Sequence, residues 1–202
     1  MGVGATFLTS KNFDKSELIE VLQNSINDIP KNDQIFLDEI LSNFKEDNFS
    51  LITPQQIDFL EKNPKSKWAN YLIFRHKFTN FPKNHIDYDI PTHLIIEPVS
   101  ACNIRCIMCF QVDETFSKNN EFMGNMNLEL FKKTIDDAQN IGIRAVTLTG
   151  RGEPTLHPKF AEMVAYCKDK FFDLKINTNA TRLNEKLMRT IIESGVTDLV
   201  FS

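Results

Sequence analysis

From Pro91 onward, short apolar runs alternate with segments whose apolar residues recur every three or four positions, and this alternation constrains the fold more than any other feature of the chain. Strands separated by helix-length segments pair in parallel, because each helix must carry the chain back to the start of the next strand. The predicted strands are 92–98, 144–149, 173–178 and 198–202. Between them, Leu128, Phe131, Ile135 and Ala138 share one helical face. Phe160, Val164, Cys167 and Phe171 share a second, and Leu187 with Ile191 a third. Asn127 is placed to cap the first of these helices, and Gly142 and Gly195 to stop the first and third. The fold class is therefore α/β with a parallel sheet.

Residues before Pro91 have another texture. Leu18, Leu22 and Ile26 recur four apart, as do Phe36, Ile40 and Phe44, which predicts two helices separated around Pro30. Thr53 followed by Pro54 reads as an N-cap with proline at the first helical position. A fourth helix is predicted from about Lys65, carrying Trp68, Tyr71, Leu72 and Arg75, and Asn80 to Pro91 reads as an irregular linker. The predicted organisation is a helical segment and linker over 1–90, then an α/β core over 91–202.

Ligands of parallel α/β sheets collect at the carboxyl ends of the strands, where loops and helix amino termini converge. The unusual residues of this chain fall there. Cys102, Cys106 and Cys109 follow the first strand in CNIRCIMCF, TGRGEPTLHP follows the second, NTNATR follows the third, and Ser202 ends the fourth. Thiolates are soft ligands suited to iron–sulfur clusters, and the usual protein-ligated cluster or structural zinc takes four protein ligands. Three close cysteines leave one position for another ligand. An alternative class is a non-catalytic, zinc-stabilised interaction module with His93 or His157 as fourth ligand. Cys167, on an apolar helical stripe, reads as a buried small hydrophobe.

The C-x3-C-x2-C run after a first strand, with Asn103 and Arg105 inside it, resembles the signature of the radical S-adenosylmethionine (radical SAM) enzymes. The resemblance covers about 92–202. It implies a partial parallel (βα) barrel of the radical SAM type, related to the TIM barrel, carrying a 4Fe-4S cluster on Cys102, Cys106 and Cys109. It further implies that S-adenosyl-L-methionine chelates the open iron. Its reductive cleavage would yield a 5′-deoxyadenosyl radical that abstracts hydrogen from a substrate, with an electron donor such as flavodoxin or ferredoxin. Gly150-Arg151-Gly152-Glu153-Pro154 resembles the family's glycine–glutamate–proline motif, with Arg151 where a glycine often stands. Gly150 and Gly152 are then expected to let the backbone approach the cofactor, and Glu153 to accept a hydrogen bond from its ammonium group.

Met108 stands where the family usually has an aromatic residue against the adenine, and thioether polarizability makes it a plausible substitute. Asn177, Thr178 and Asn179 resemble the family's strand-end polar element, with Ala180 in place of its glycine; Asn177 and Asn179 are expected on the cofactor, as is Ser202. No substrate-side acid or base is identifiable, and the substrate class stays open among peptides, carbohydrates and other small molecules. A closed barrel takes about 250 residues, and 91–202 has room for roughly four βα units, so the chain resembles the front part of a longer protein. The connection from Gln111 to Met126 exceeds the roughly 12 to 15 residues typical of structureless loops and is expected to cover the cofactor.

Charge excludes one broad class. With 23 basic against 27 acidic residues the chain lacks the cationic surface of a general nucleic-acid binder. Neither a charged, apolar leader nor an apolar run of about 18 residues is present, so the protein is predicted to be soluble and cytoplasmic, with no membrane partner. A reducing compartment keeps thiolates available for a cluster.

Overall fold

The computed structural model describes residues 14–50, 52–87, 89–119 and 121–202; the amino-terminal segment 1–13 lies outside the described residues. It divides into two compact units, one ending at Tyr88 and the other beginning at Asp89.

The first unit is helical. Helix α1 (Lys15–Asn24) starts where the Asp14 carboxylate accepts the Ser16 and Glu17 N–H groups, satisfying two donors that lack intrahelical partners. Helix α2 (Lys31–Lys45) follows Pro30. Helix α3 (Pro54–Lys62) opens on Thr53 with a full capping box, Gln56 reaching back to the Thr53 N–H. Helix α4 (Trp68–Lys83) is preceded by a 3-10 turn over Lys65–Lys67. The buried side of the unit includes Leu18, Leu22, Leu37, Ile40, Phe44, Leu60 and Trp68.

Helix α4 corrects the predicted linker, because it continues past Asn80 and through Pro82. A proline in a helix costs the hydrogen bond of its missing N–H. In the final turn the surrounding carbonyls find other donors: Asn80 O accepts from Asn84 at 2.9 Å and Phe81 O from Ile86 at 2.9 Å.

The second unit holds four parallel strands, β1 (His93–Ile96), β2 (Ala145–Leu148), β3 (Asp173–Thr178) and β4 (Asp198–Phe201), in the order β1-β2-β3-β4. That order has no reversal, so every strand-to-helix loop emerges on one rim. Helix α5 (Glu114–Ser117) lies in the long connection after β1; α6 (Leu128–Ile141), α7 (Phe160–Tyr166) and α8 (Glu185–Glu193) make the crossovers. Asn127 caps α6 through Glu129 and Leu130 N–H, and Gly142 ends it at φ 99°, a left-handed conformation that glycine adopts without a Cβ clash.

The alternating strand periodicity puts Ile96, Val146, Leu148, Leu174 and Ile176 on the face that packs against Phe131, Ile135, Phe160, Met163, Val164, Leu187 and Ile191 of the helices. Each such side chain, fully buried, contributes roughly 1.5–3 kcal/mol. The predicted second helix is shorter than its apolar pattern: α7 stops at Tyr166, Asp169 turns left-handed at φ 58°, and Phe171 packs on the core from outside the helix.

Candidate functional site

The cysteine loop leaves the carboxyl end of β1. Its curl is set by Cys109 N–H donating to Cys106 O at 2.9 Å and by Arg105 Nη1 donating to the Cys102 and Ile104 carbonyls at 2.8 and 3.0 Å. All three thiols are free, Cys106 exposed and Cys102 and Cys109 half-buried. Two of the sulfurs receive N–H groups: Cys102 Sγ from Asn179 Nδ2 at 3.8 Å, and Cys109 Sγ from Gln111 N at 3.5 Å. Among the described residues, no three His, Cys, Asp or Glu side chains are grouped as a metal-ion site. The two histidines considered as a fourth ligand are engaged elsewhere. His157 uses Nε2 on Met126 O and accepts the Lys159 N–H on Nδ1. His93 hydrogen-bonds Thr147 Oγ1 at 2.7 Å at the amino end of β1, and burial lowers its pKa.

Glu153 lies behind the loop and is 3% exposed. Its Oε1 accepts from Thr155 N and Oγ1 and from Thr178 Oγ1 at 2.6 Å, and its Oε2 from Asn179 N at 2.7 Å. The carboxylate thus joins the turn after β2 to the end of β3. A carboxylate has about four lone-pair sites, so Oε2, with one partner among these, retains acceptor capacity. Gly152 passes close to the segment before Cys102: a Cβ there would lie 2.2 Å from Val99 O and 2.5 Å from Ala101 O. Gly150 (φ 146°) crosses over Glu97, where a Cβ would meet the side chain at 2.6 Å.

Arg151 grips Glu97 through Nε, Nη2 and its own N–H, at 2.6 to 3.0 Å. Burial opposes ionisation of Glu97, but these hydrogen bonds and the Arg151 charge outweigh it and hold its pKa below the ordinary glutamate range. The guanidinium also lies 5.5 Å over the Phe116 ring.

At the end of β3, Asn179 is tied to Asn103, Thr181 and Cys102, while Asn177 Oδ1 is buried without a hydrogen-bond partner. Ala180 adopts φ 64° and donates its N–H to Thr178 Oγ1. Ser202 extends the β3–β4 ladder, donating its N–H to Thr178 O at 3.1 Å. The structure therefore brings Cys102, Glu153 and Asn179 into one hydrogen-bonded neighbourhood, with Gly152 packed closely on 99–101, whereas Met108 stands out from the loop at 90% exposure. In the connection after the cysteines, Phe110, Phe116 and Phe122 form a ladder of rings at 5.0 and 5.4 Å, and residues 124–126 return beside 98–100.

Gln111 was not evident from sequence. It is 1% exposed, and its Nε2 donates to Ser100 O at 2.6 Å and Arg151 O at 2.9 Å, clamping the cysteine loop to the turn after β2. A lone glutamine two residues past a cysteine carries no periodicity or spacing signal. Thr181, the third member of the Asn103–Asn179 contact, was equally silent.

A singly wound parallel sheet with helices on one face and free thiols on the loop after its first strand defines the class as a partial (βα) barrel. Residues 96–202 match the family described as the Radical SAM superfamily, and the chain belongs to it. It is 38% identical over 110 residues to the tungsten-containing aldehyde ferredoxin oxidoreductase cofactor-modifying protein of Pyrococcus furiosus, a match covering 54% of this chain and 29% of that protein. It is 28% identical over 117 residues to the antilisterial bacteriocin subtilosin biosynthesis protein AlbA of Bacillus subtilis, covering 58% and 24%. With the mycofactocin maturase MftC of Mycobacterium ulcerans it shares 28% over 114 residues, covering 56% and 29%. The matches thus span less than a third of these relatives' lengths. The fold is also that of BtrN crystallised with AdoMet and 2-DOIA: TM-score 0.50, 21% identity, 57% of this chain and 46% of that one.

Superfamily membership implies a 4Fe-4S cluster and S-adenosylmethionine. The donor set fits them: three free thiols, N–H groups already directed at two of the sulfurs, and an unpartnered buried amide oxygen at the adjoining strand end.

Proposed function

We propose that this chain carries the cofactor-binding part of a radical SAM enzyme, with Cys102, Cys106 and Cys109 holding a 4Fe-4S cluster. When bound, the cluster supplies the open iron and the electron for reductive cleavage of S-adenosylmethionine to a 5′-deoxyadenosyl radical, which abstracts hydrogen from substrate. The observation that carries this reading is the free, exposed C-x3-C-x2-C loop on the carboxyl rim, inside the family-matched segment. Glu153 is fixed by four protein donors with its Oε2 able to accept a further N–H, the task proposed for it toward the ligand's ammonium group. Gly150 and Gly152 keep the backbone free of side chains where the turn crosses its neighbours. Met108, exposed and polarizable, packs on the adenine, and Asn177 offers its unpartnered oxygen to a ligand hydroxyl. Asn179 and Ser202 complete the proposed cofactor rim. The loop 111–126 excludes water from the radical.

The relatives are named as a cofactor-modifying protein, a bacteriocin biosynthesis protein and a maturase, which favours a biosynthetic modification. The substrate class remains a peptide, a carbohydrate or another small molecule, and the electron donor a flavodoxin or ferredoxin. No helix among the described residues is long and apolar enough to cross a membrane; we infer a reducing, cytoplasmic setting, which keeps the thiols free.

Anaerobic reconstitution with iron and sulfide tests the reading. The expected result is a brown protein with roughly four irons per chain, whose spectrum changes on adding S-adenosylmethionine, and loss of that iron in Cys106→Ala. A colourless zinc protein, or a cluster indifferent to S-adenosylmethionine, overturns it.

A further inference from the structure

We infer that Asn103, Asn179 and Thr181 form a closed hydrogen-bonded ring that positions Cys102 and, in the loaded protein, directs an amide N–H at its thiolate. The part concerning the loaded protein rests on the cluster reading above; the part concerning the loop does not.

The polarity of the ring is fixed from one end. Thr181 N–H donates to Asn179 Oδ1 at 3.0 Å, and a backbone N–H cannot accept, so the Asn179 oxygen must face it. The Thr181 hydroxyl donates to the same oxygen at 2.7 Å and accepts Asn103 Nδ2 at 2.7 Å. Asn179 Nδ2 therefore faces the cysteine loop. One of its hydrogens meets Asn103 Oδ1 at 2.9 Å and closes the ring; the other points to Cys102 Sγ at 3.8 Å. Turning either amide over would set donor against donor.

The backbone supports the same geometry, since Asn179 N–H is held by Glu153 Oε2 at 2.7 Å and Ala180 is kept at φ 64°. A non-glycine residue in that region is strained, and the turn that imposes it is the one that brings Thr181 back onto Asn179. The ring thus couples the first thiol to the end of β3 and, through Asn179, to Glu153. An N–H group directed at a ligating sulfur stabilises the more electron-rich state of a cluster and raises its potential.

The 202-residue chain tests this with Thr181→Val, which removes the hydroxyl at similar volume, Thr181→Ser, which restores it, and Asn179→Ala, which removes the donor. In the metal-free protein, the amides of 179–181, which donate to Glu153 Oε2, Thr178 Oγ1 and Asn179 Oδ1, are expected to exchange roughly five- to tenfold faster, relative to their intrinsic rates, in Thr181→Val than in wild type. The strand amides of β3 should not change, and Thr181→Ser should behave as wild type. In the reconstituted protein, a redox titration followed by electron paramagnetic resonance is expected to give Asn179→Ala a more negative midpoint than wild type. Wild-type exchange at 179–181 in Thr181→Val overturns the ring, and equal midpoints overturn its action on Cys102. Failure of the wild-type chain to assemble any cluster counts against the function proposed above, and the metal-free exchange then decides the ring alone.

Discussion

Gly152→Ala tests how the turn after β2 meets the segment before Cys102. Its Cβ would stand 2.2 Å from Val99 O, 2.5 Å from Ala101 O and 2.7 Å from Ser100 C, where ordinary contact begins at 3.4 Å. The two backbones must therefore part by roughly 1 Å. Such a shift breaks the Glu153 N to Ala101 O hydrogen bond, now 2.9 Å, and Gln111 Nε2 cannot keep both Ser100 O and Arg151 O. Overpacking costs about 1–3 kcal/mol and each stranded buried group another 1–3 kcal/mol. The expected destabilisation is about 4 kcal/mol, close to a thousandfold in the opening equilibrium. Native-state hydrogen exchange of the β2 and β3 amides measures it without relying on a single unfolding transition for both units. Gly124→Ala is the control: nothing lies within 4 Å of its Cβ position, and its effect should stay within about 0.5 kcal/mol. Equal exchange in Gly152→Ala and wild type, or equal loss in both variants, would refute the close-approach reasoning.

Ala180→Gly should stabilise the second unit by about 0.5–1 kcal/mol in urea unfolding, because it relieves φ 64°; a loss of stability contradicts the strain. Glu97, whose pKa is lowered in the fold, stabilises the 150–153 turn above the unfolded glutamate value near pH 4.3. That contribution disappears as pH falls through its lower folded value, so protection of the Arg151 and Glu153 amides, taken relative to their intrinsic exchange rates, should fall in that window and be flat in Glu97→Gln. Cys167 is 1% exposed and burial pushes its thiol up to about 12, so iodoacetamide at pH 8 should label Cys102, Cys106 and Cys109 of the metal-free chain and spare Cys167 until denaturant is added. Peptide mass spectrometry reads this directly, and early labelling of Cys167 argues against it.

The alternation after Pro91 was legible because strands and helices impose different periods on the same core: Leu174 and Ile176 on β3 and Phe131 and Ile135 on α6 are buried as their spacing requires. Caps were legible at Thr53 and Asn127, since a short polar side chain before an apolar period has one economical use. Helix ends were less so. Pro82 looked like a terminator but sits where its missing N–H matters little, and α7 ends on a left-handed Asp169 that no glycine announces. In the candidate site, the cysteines and Glu153 stood out by motif. Their supports Gln111 and Thr181 did not, because they act through contacts between loops distant in sequence. Such contacts follow from the parallel register rather than from any local pattern.

The Glu153 carboxylate also bears on how the sheet assembles. A slip of one residue in β3 would turn Leu174 and Ile176 away from the helices, and it would also swing Thr178 to the opposite surface and substitute an asparagine for it. The displaced pairing would strand a desolvated anion and cost several kcal/mol. One acidic group therefore adds a polar check on β-pairing to the one the aliphatic core already makes.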